Sequence, residues 1–335
     1  MSTDKKHSIP IFVTYLLIIL ICIYLISLLA ALYTGPIRTL YVKNVYAQEQ
    51  PEIVISFTTT PQRINKIKPV LDSLKDQSIK ASNIYVNIPY IFERDNSTYA
   101  IPTWLENYKG VIILRDKDYG PGTKLITTLK HIENPEALII TVDDDVIHAK
   151  HLVRDLYYKS YKNPNSIISN TNFRFKIDLN SIDVLSDLYM TFEDKSESLL
   201  AVGSGGVLYK RKFFTNDFYS LINSLPKFCR LSDDLYFSMY AHSKDVSIIQ
   251  NDEGAYNNLR IFYPQYHELE YGLQTDALRK GANGYGDNSV NYQRCIKYFA
   301  KFDPDFLQPI IDKGNSLKRV RNFMSYIMEP NTNKN

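Results

Sequence analysis

The hydrophobic and polar positions of the chain fall into three regimes. Ile11 to Tyr33 is a run of 23 residues without a charge, dominated by Leu and Ile. As a helix it covers about 34 Å, enough to cross a hydrocarbon core of ~30 Å. A cleaved signal peptide has a shorter apolar region, and Ala30-Ala31-Leu32-Tyr33 makes a poor cleavage site. A buried core helix is the remaining alternative. The run is expected to be a transmembrane anchor over residues 11–33, after a tail of residues 1–10. Lys5 and Lys6 before it and Arg38 and Lys43 after it hardly discriminate orientation. The bulk of the chain lies C-terminal, as in a type II signal-anchor arrangement. That implies a Golgi or ER lumen in a eukaryotic source and plain membrane attachment otherwise.

Residues 34–51 show no sustained period and read as a stem, with a proline towards each end. From residue 52 the periods alternate. Ile53–Thr58, Ile84–Ile88, Val111–Leu114 and Ala137–Val142 are compact runs of the strand kind. Asn65–Gln77 carries Ile67, Val70, Leu71 and Leu74 at helical spacing, and Thr123–Ile132 and Lys150–Lys162 also read as helices. This order predicts an α/β domain, residues 52–325, with a mostly parallel sheet and flanking helices. Further on, Ala201–Tyr209 and Val246–Ile249 read as strands and Asp233–His242 as a helix. No repeat or linker divides the region, and residues 326–335 are a tail. Ligands of such sheets bind beyond the carboxyl ends of the strands. Thr58–Arg63, Asp116–Lys124 and Asp143–His148 are therefore the loops of interest.

Composition changes this picture little. With 44% hydrophobic, 22% charged and 13% aromatic residues the chain is neither disordered, fibrous nor a disulfide-built miniprotein. The net charge of +3 falls to +1 without residues 1–40, so no broad field attracts nucleic acid. Cys22 lies in the apolar run and no zinc spacing exists. Cys229 and Cys295 are either a disulfide or two separate thiols. Asn96-Ser97-Thr98 is the sole N-glycosylation triplet.

The chemistry concentrates in a few places. Asp143-Asp144-Asp145 follows the strand Ala137–Val142 directly. Three carboxylates there repel one another unless something positive is present, and Mg²⁺ or Mn²⁺ prefers oxygen ligands. Residues i and i+2 of an extended chain share a face, so Asp143 and Asp145 can serve one ion. The bland alternative is a solvated acidic loop before the helix. Asp118-Tyr119-Gly120-Pro121-Gly122-Thr123-Lys124 is a turn whose amides, with Lys124, suit an anion; an ordinary turn with a helix cap explains it as well. Gly203-Ser204-Gly205-Gly206 inside a strand implies a close approach to the backbone or a bulge. Asp233 and Asp234 open a helix, favouring its N-terminus or providing a general base. His242 and His267 are candidates for a third metal ligand, without a supporting spacing.

Taken in order, Ile55-Ser-Phe-Thr-Thr-Thr-Pro-Gln-Arg63, the Asp118–Leu125 loop, Val142-Asp-Asp-Asp-Val146, the Gly205-Gly206 strand and Asp233-Asp234 resemble the GT-A glycosyltransferases, in particular family-2-like members, over roughly residues 52–250. The resemblance implies a GT-A-like (Rossmann-like) fold and a metal-dependent hexosyltransferase-type enzyme. Such an enzyme moves a sugar from a nucleotide-sugar to an acceptor hydroxyl of a glycan, glycoprotein or glycolipid. It implies a DxD motif with Asp145 on Mn²⁺ or Mg²⁺, Asp143 near the metal or the ribose, and Asp144 beside them; the third Asp leaves the pairing open by one residue. Thr58 and Arg63 would lie by the nucleotide, Lys124 by its phosphates or the donor sugar, and Asp118, Gly205 and Gly206 along the donor. Asp234, with Asp233, would supply the base of an inverting reaction. The C-terminal metal-binding histidine of some members has no clear counterpart here, so His267 stands only as the candidate third ligand, and Asn283-Gly284-Tyr285-Gly286 is a candidate lid.

Three rivals remain at this level. A haloacid-dehalogenase-like phosphotransferase has an Asp-x-Asp signature, but on its first strand, and here three strands precede it. A dinucleotide oxidoreductase lacks its Gly-x-Gly-x-x-Gly. A non-catalytic, membrane-anchored carbohydrate-binding protein would keep the fold without needing acidic motifs at two separate element ends.

Overall fold

The computed structural model describes residues 11–173, 176–177, 182–183, 200–251, 266–268 and 288–313. The N-terminal tail, the Asn283–Gly286 segment and the expected domain end at 325 lie outside them. Helix α1 (Ile11–Glu49) is followed by β1 (Ile53–Thr58), α2 (Lys68–Lys75), β2 (Asn83–Pro89), α3 (Thr103–Glu106), β3 (Val111–Asp116), α4 (Thr123–His131), β4 (Leu138–Thr141), β5 (Val146–His148) and α5 (Leu152–Lys162). Then come β6 (Ser166–Phe173), β7 (Lys176–Ile177), β8 (Ile182–Asp183), β9 (Leu200–Lys210), α6 (Asn216–Ser224), α7 (Lys227–Arg230), α8 (Asp233–Ser243), β10 (Ser247–Gln250), β11 (Tyr266–Glu268) and α9 (Asn288–Phe302).

Seven strands form the main sheet in the order β10-β6-β9-β4-β1-β2-β3. Neighbours pair in parallel except β9, which runs against both β4 and β6. The mostly parallel α/β architecture expected from the sequence is therefore present. Alternation along each strand feeds two cores. In β1, Val54 faces one apolar cluster and Ile53, Ile55 and Phe57 the other. The first cluster is closed by α4, α6, α8 and α9, the second by α2, α5 and the end of α1. A sheet buried on both faces explains why its strands read as continuous apolar runs.

The differences from expectation have local causes. Helix α2 starts at Lys68 because Pro69 suits only a first turn, while residues 61–66 form turns. Strand β6 carries Ser166, Ser169, Asn170, Thr171 and Asn172, too polar to announce a strand, and its register shifts between Ser169 and Thr171. The expected stem is helical through Glu49. Its Val42 and Val45 are buried in the second core, and the fully buried Arg154 of α5 donates to Thr39 Oγ1 at 2.6 Å. Edge-on ring pairs, Tyr41 with Tyr158 and Tyr46 with Tyr157, extend the contact.

Along α1 the side chains from Phe12 to Ile26 are all exposed. Among the described residues no helix is long and apolar enough to cross a membrane.

Candidate active site

The carboxyl edge of the parallel strands gathers nearly all the acidic residues singled out above. Asp143, Asp144 and Asp145 leave β4. Thr59 and Arg63 follow β1, and Lys124 sits in the first turn of α4. Because Thr141 of β4 pairs antiparallel with Val207, residues 203–206 of β9 extend beyond the end of β4 on this same edge. Asp233 and Asp234 form the first turn of α8, beside that extension.

Each acidic residue of the triad has its own partner. Asp144 is buried, accepting from Thr59 Oγ1 at 2.6 Å and from Arg63 at 2.9 Å. The same Arg63 nitrogen reaches Asp145 Oδ2 at 3.1 Å. Asp143 Oδ1 accepts from Lys124 Nζ at 2.9 Å, and Lys124 also pairs with Asp233 Oδ2 at 3.1 Å. Lys124 is thus a buried clamp between the triad and the α8 pair. Below it a polar network fixes the first turn of α4: Ser56 Oγ donates to the Lys124 carbonyl and shares a 2.6 Å hydrogen bond with Thr128 Oγ1, while Asn87 Nδ2 donates to Ser56 Oγ at 2.7 Å.

Gly203 is where these groups converge. Its N–H donates to Asp234 Oδ1 at 3.0 Å. A Cβ placed on it would stand 2.6 Å from Lys124 Nζ, 3.4 Å from Asp234 Oδ1 and 3.5 Å from Asp143 Oδ1. Any side chain there would push Lys124 from its carboxylates. Gly205 and Gly206, expected along the donor, are tightly packed: a Cβ on Gly205 would meet Thr171 Oγ1 at 2.5 Å, and Gly206 has φ +95° over Leu152. The close-approach glycine of the cleft is Gly203.

Electrostatics separates the carboxylates. Burial disfavours ionised Asp143, but the Lys124 ammonium overrides it and holds that carboxyl below its usual range. Burial raises Asp144 despite Arg63 and Thr59, and raises Asp233 despite Lys124. Asp234 is pushed up to about 8 by burial, then by Asp233 and, more weakly, Asp143, against the opposing pull of Lys124 and the Gly203 N–H. Burial opposes the charge on Lys124, yet Asp143, Asp233 and Asp234 raise it well above its ordinary value, so it stays charged. His148, buried behind the triad, is lowered to about 4 by burial and is neutral.

Other expected residues are placed differently. Thr58 Oγ1 donates to the Asn87 carbonyl at 2.8 Å and ties β1 to β2; it is the next residue, Thr59, that reaches the triad. Asp118 accepts from the amides of Glu93 (2.9 Å) and Gly120 (2.7 Å), joining the loop after β2 to the turn before α4. It forms one wall of a small cleft of about 100 Å³, with Phe92, Arg94, Lys227 and Arg230. His267 lies on β11, whose backbone pairs opposite Ile147 in the strand leaving the triad. His242 ends α8, about 13 Å along the helix from Asp233, too far to share an ion with the triad. Among the described residues no group of three or more His, Cys, Asp or Glu is placed to hold a metal alone. Cys229 and Cys295 form a disulfide. Sequence reasoning missed Thr59 and Tyr292, which donates to Asp234 Oδ2 at 3.4 Å; only the Cys229–Cys295 pair hinted that α9 approaches this region.

Comparison with known proteins accords with this geometry. Residues 54–214 match the family model described as Glycosyl transferase family 2. No curated protein sequence matches the chain. Among solved structures, that of S. aureus TarS 1-349 is similar with a TM-score of 0.39 and 13% identity, covering 79% of this chain and 82% of that one.

Proposed function

Because residues 54–214 make this chain a carrier of a glycosyl transferase family 2 domain of GT-A fold, we propose that it is an inverting, metal-dependent glycosyltransferase using a nucleotide-sugar donor. The observation that carries the reading is the convergence at Gly203, where Lys124, Asp143 and Asp234 all lie within 3.5 Å of one point at the strand edge. In that geometry Asp234 is the base. It receives the proton of the acceptor hydroxyl as the oxygen bonds to the sugar's anomeric carbon. The bond from that carbon to the diphosphate breaks, and its electron pair departs with the nucleotide. Asp234 becomes a fit base once ionised, and a carboxyl raised to about 8 holds its proton firmly after receiving it. Asp233 and Lys124 orient the pair, and Arg63 and Thr59 fix the triad.

The charges favour a cation. Five carboxylates, Asp143, Asp144, Asp145, Asp233 and Asp234, gather at one edge, where Arg63 pairs with Asp144 and Asp145 and Lys124 with Asp143 and Asp233, and a diphosphate would bring more negative charge. Asp145 and Asp143, the ends of the proposed DxD motif, offer the hard oxygen donors that Mn²⁺ or Mg²⁺ takes, with diphosphate oxygens and the proposed His267 filling the set. When bound, such an ion neutralises charge on the departing diphosphate.

The 23 uncharged residues 11–33, by length and composition, are the proposed membrane anchor of a type II arrangement. The acceptor is a glycan, glycoprotein or glycolipid hydroxyl. The test follows nucleotide release by the full-length chain in detergent, over a panel of nucleotide sugars with and without Mn²⁺. Metal-dependent release from one donor, abolished in Asp145→Ala, is expected. No release from any donor, with no Mn²⁺-dependent nucleotide binding, would overturn the reading in favour of a binding protein.

A further inference from the structure

Helix α9 lies outside the family-matched segment, yet one of its side chains enters the site. Tyr292, Cys295, Ile296 and Phe299 stand at helical spacing on one face and are all at most 5% exposed, packed into the first core. One turn from Tyr292, Cys295 is bonded to Cys229 of α7, and four residues after Cys229 begins α8 with Asp233 and Asp234. The phenol then closes a ring of contacts by donating to Asp234 Oδ2, whose other oxygen is taken by the Gly203 N–H. Burial foremost, and then Asp234 and Asp233, raise the Tyr292 phenol well above its usual value, so it remains a donor.

We infer that Tyr292 is a positioning residue for Asp234, and that the Cys229–Cys295 disulfide holds it in place. This rests on the assignment of Asp234 as base. A carboxylate held at one oxygen can rotate about its Cβ–Cγ bond; held at both, by a backbone amide and a phenol from different elements, it presents one face to the acceptor. The disulfide matters because α9 is far along the chain from α8, with a separation of 66 residues between the bonded cysteines. It is the covalent link between the short helix α7 and α9, beside ring contacts such as Phe228 with Tyr298.

The experiment uses the full-length chain in detergent. Tyr292→Phe keeps the ring and removes the hydroxyl; kcat is expected to fall roughly tenfold, with the donor KM within about twofold of the parent. Cys229→Ala with Cys295→Ala should lower kcat likewise, and adding Tyr292→Phe should cost little more, because the phenol is already displaced. Tyr292→Phe with unchanged kcat would overturn the inference, as would a full further loss in the triple variant. If the disulfide-free chain does not fold, the single Tyr292→Phe comparison decides. A readout without turnover separates this from the functional reading: thermal unfolding of Tyr292→Phe, Asp234→Ala and their combination. Non-additive shifts in Tm are expected; additive shifts would overturn the contact whatever the activity. Non-additive shifts in a chain that turns over no donor would keep the contact and reject the base assignment instead.

Discussion

The two sides of the cleft treat negative charge in opposite ways. On the side built by β1 and β4, cations meet the acidic triad: Arg63 spans Asp144 and Asp145, and Lys124 holds Asp143 ionised. On the side built by α8 and α9, Asp234 is met by an amide and a phenol, both neutral, and its proton is retained up to about pH 8. The first side keeps Asp143 charged, as cation binding requires, even though burial raises its neighbour Asp144. The second makes a carboxyl that favours its protonated form, as acceptance of a proton requires. Lys124 lies on the boundary and bonds both. The family match covers the first side and ends at residue 214, before α8, so the side that carries the proposed base is the part for which this chain's own geometry matters most.

That contrast can be broken at several points. Asp234→Asn should abolish transfer by roughly 10³-fold, the scale of a lost general base, while nucleotide binding persists; retained transfer in a turnover assay would remove Asp234 from its role. Asp145→Ala should leave the α8 side intact but weaken Mn²⁺-dependent nucleotide binding by roughly 10–100-fold, read by calorimetric titration. Gly203→Ala should damage both sides together, because the added methyl displaces Lys124; a stability loss of about 1–3 kcal/mol is expected in urea unfolding, with a fall in kcat. A last effect is one of pH. Between 3.8 and about 8 the folded chain holds a proton on Asp234 that the unfolded chain has released, so this group's contribution to stability falls as pH rises through that window. Asp234→Asn should remove that slope, and its Tm should gain on the parent's between pH 5 and 8.5. A constant difference between the two would show that the carboxyl is not raised.

Much of the first side was legible in the sequence, because its signals are local. An apolar run ending in three aspartates reads as a strand delivering charge to a sheet edge, and Gly-Pro-Gly-Thr-Lys reads as a turn opening a helix. The unread residues owe their roles to elements distant along the chain. Thr59 counts because the β1–β4 pairing brings it to Asp144, 85 residues later. Tyr292 is one of 26 tyrosines, and nothing around it distinguishes it until α9 is docked. Gly203 rather than Gly205 or Gly206 faces the cleft because of where β9 outruns β4, a matter of register. The α1 extension was read as a stem because its apolar positions, Val42 and Val45, are too few to make a period, yet they suffice against α5 when Arg154 adds a buried bond to Thr39.

The reversal of β9 has one more consequence. In a wholly parallel sheet every strand would end at this edge. The antiparallel β9 instead runs past the end of β4, so no β4 carbonyl faces residues 203–206 and a main-chain amide there can serve a side chain. Gly203 spends its amide hydrogen on Asp234. The aim of the proposed base thus rests on a main-chain donor rather than on a side chain. Replacing the peptide bond before Gly203 by an ester would delete the donor atom and leave every side chain as it was.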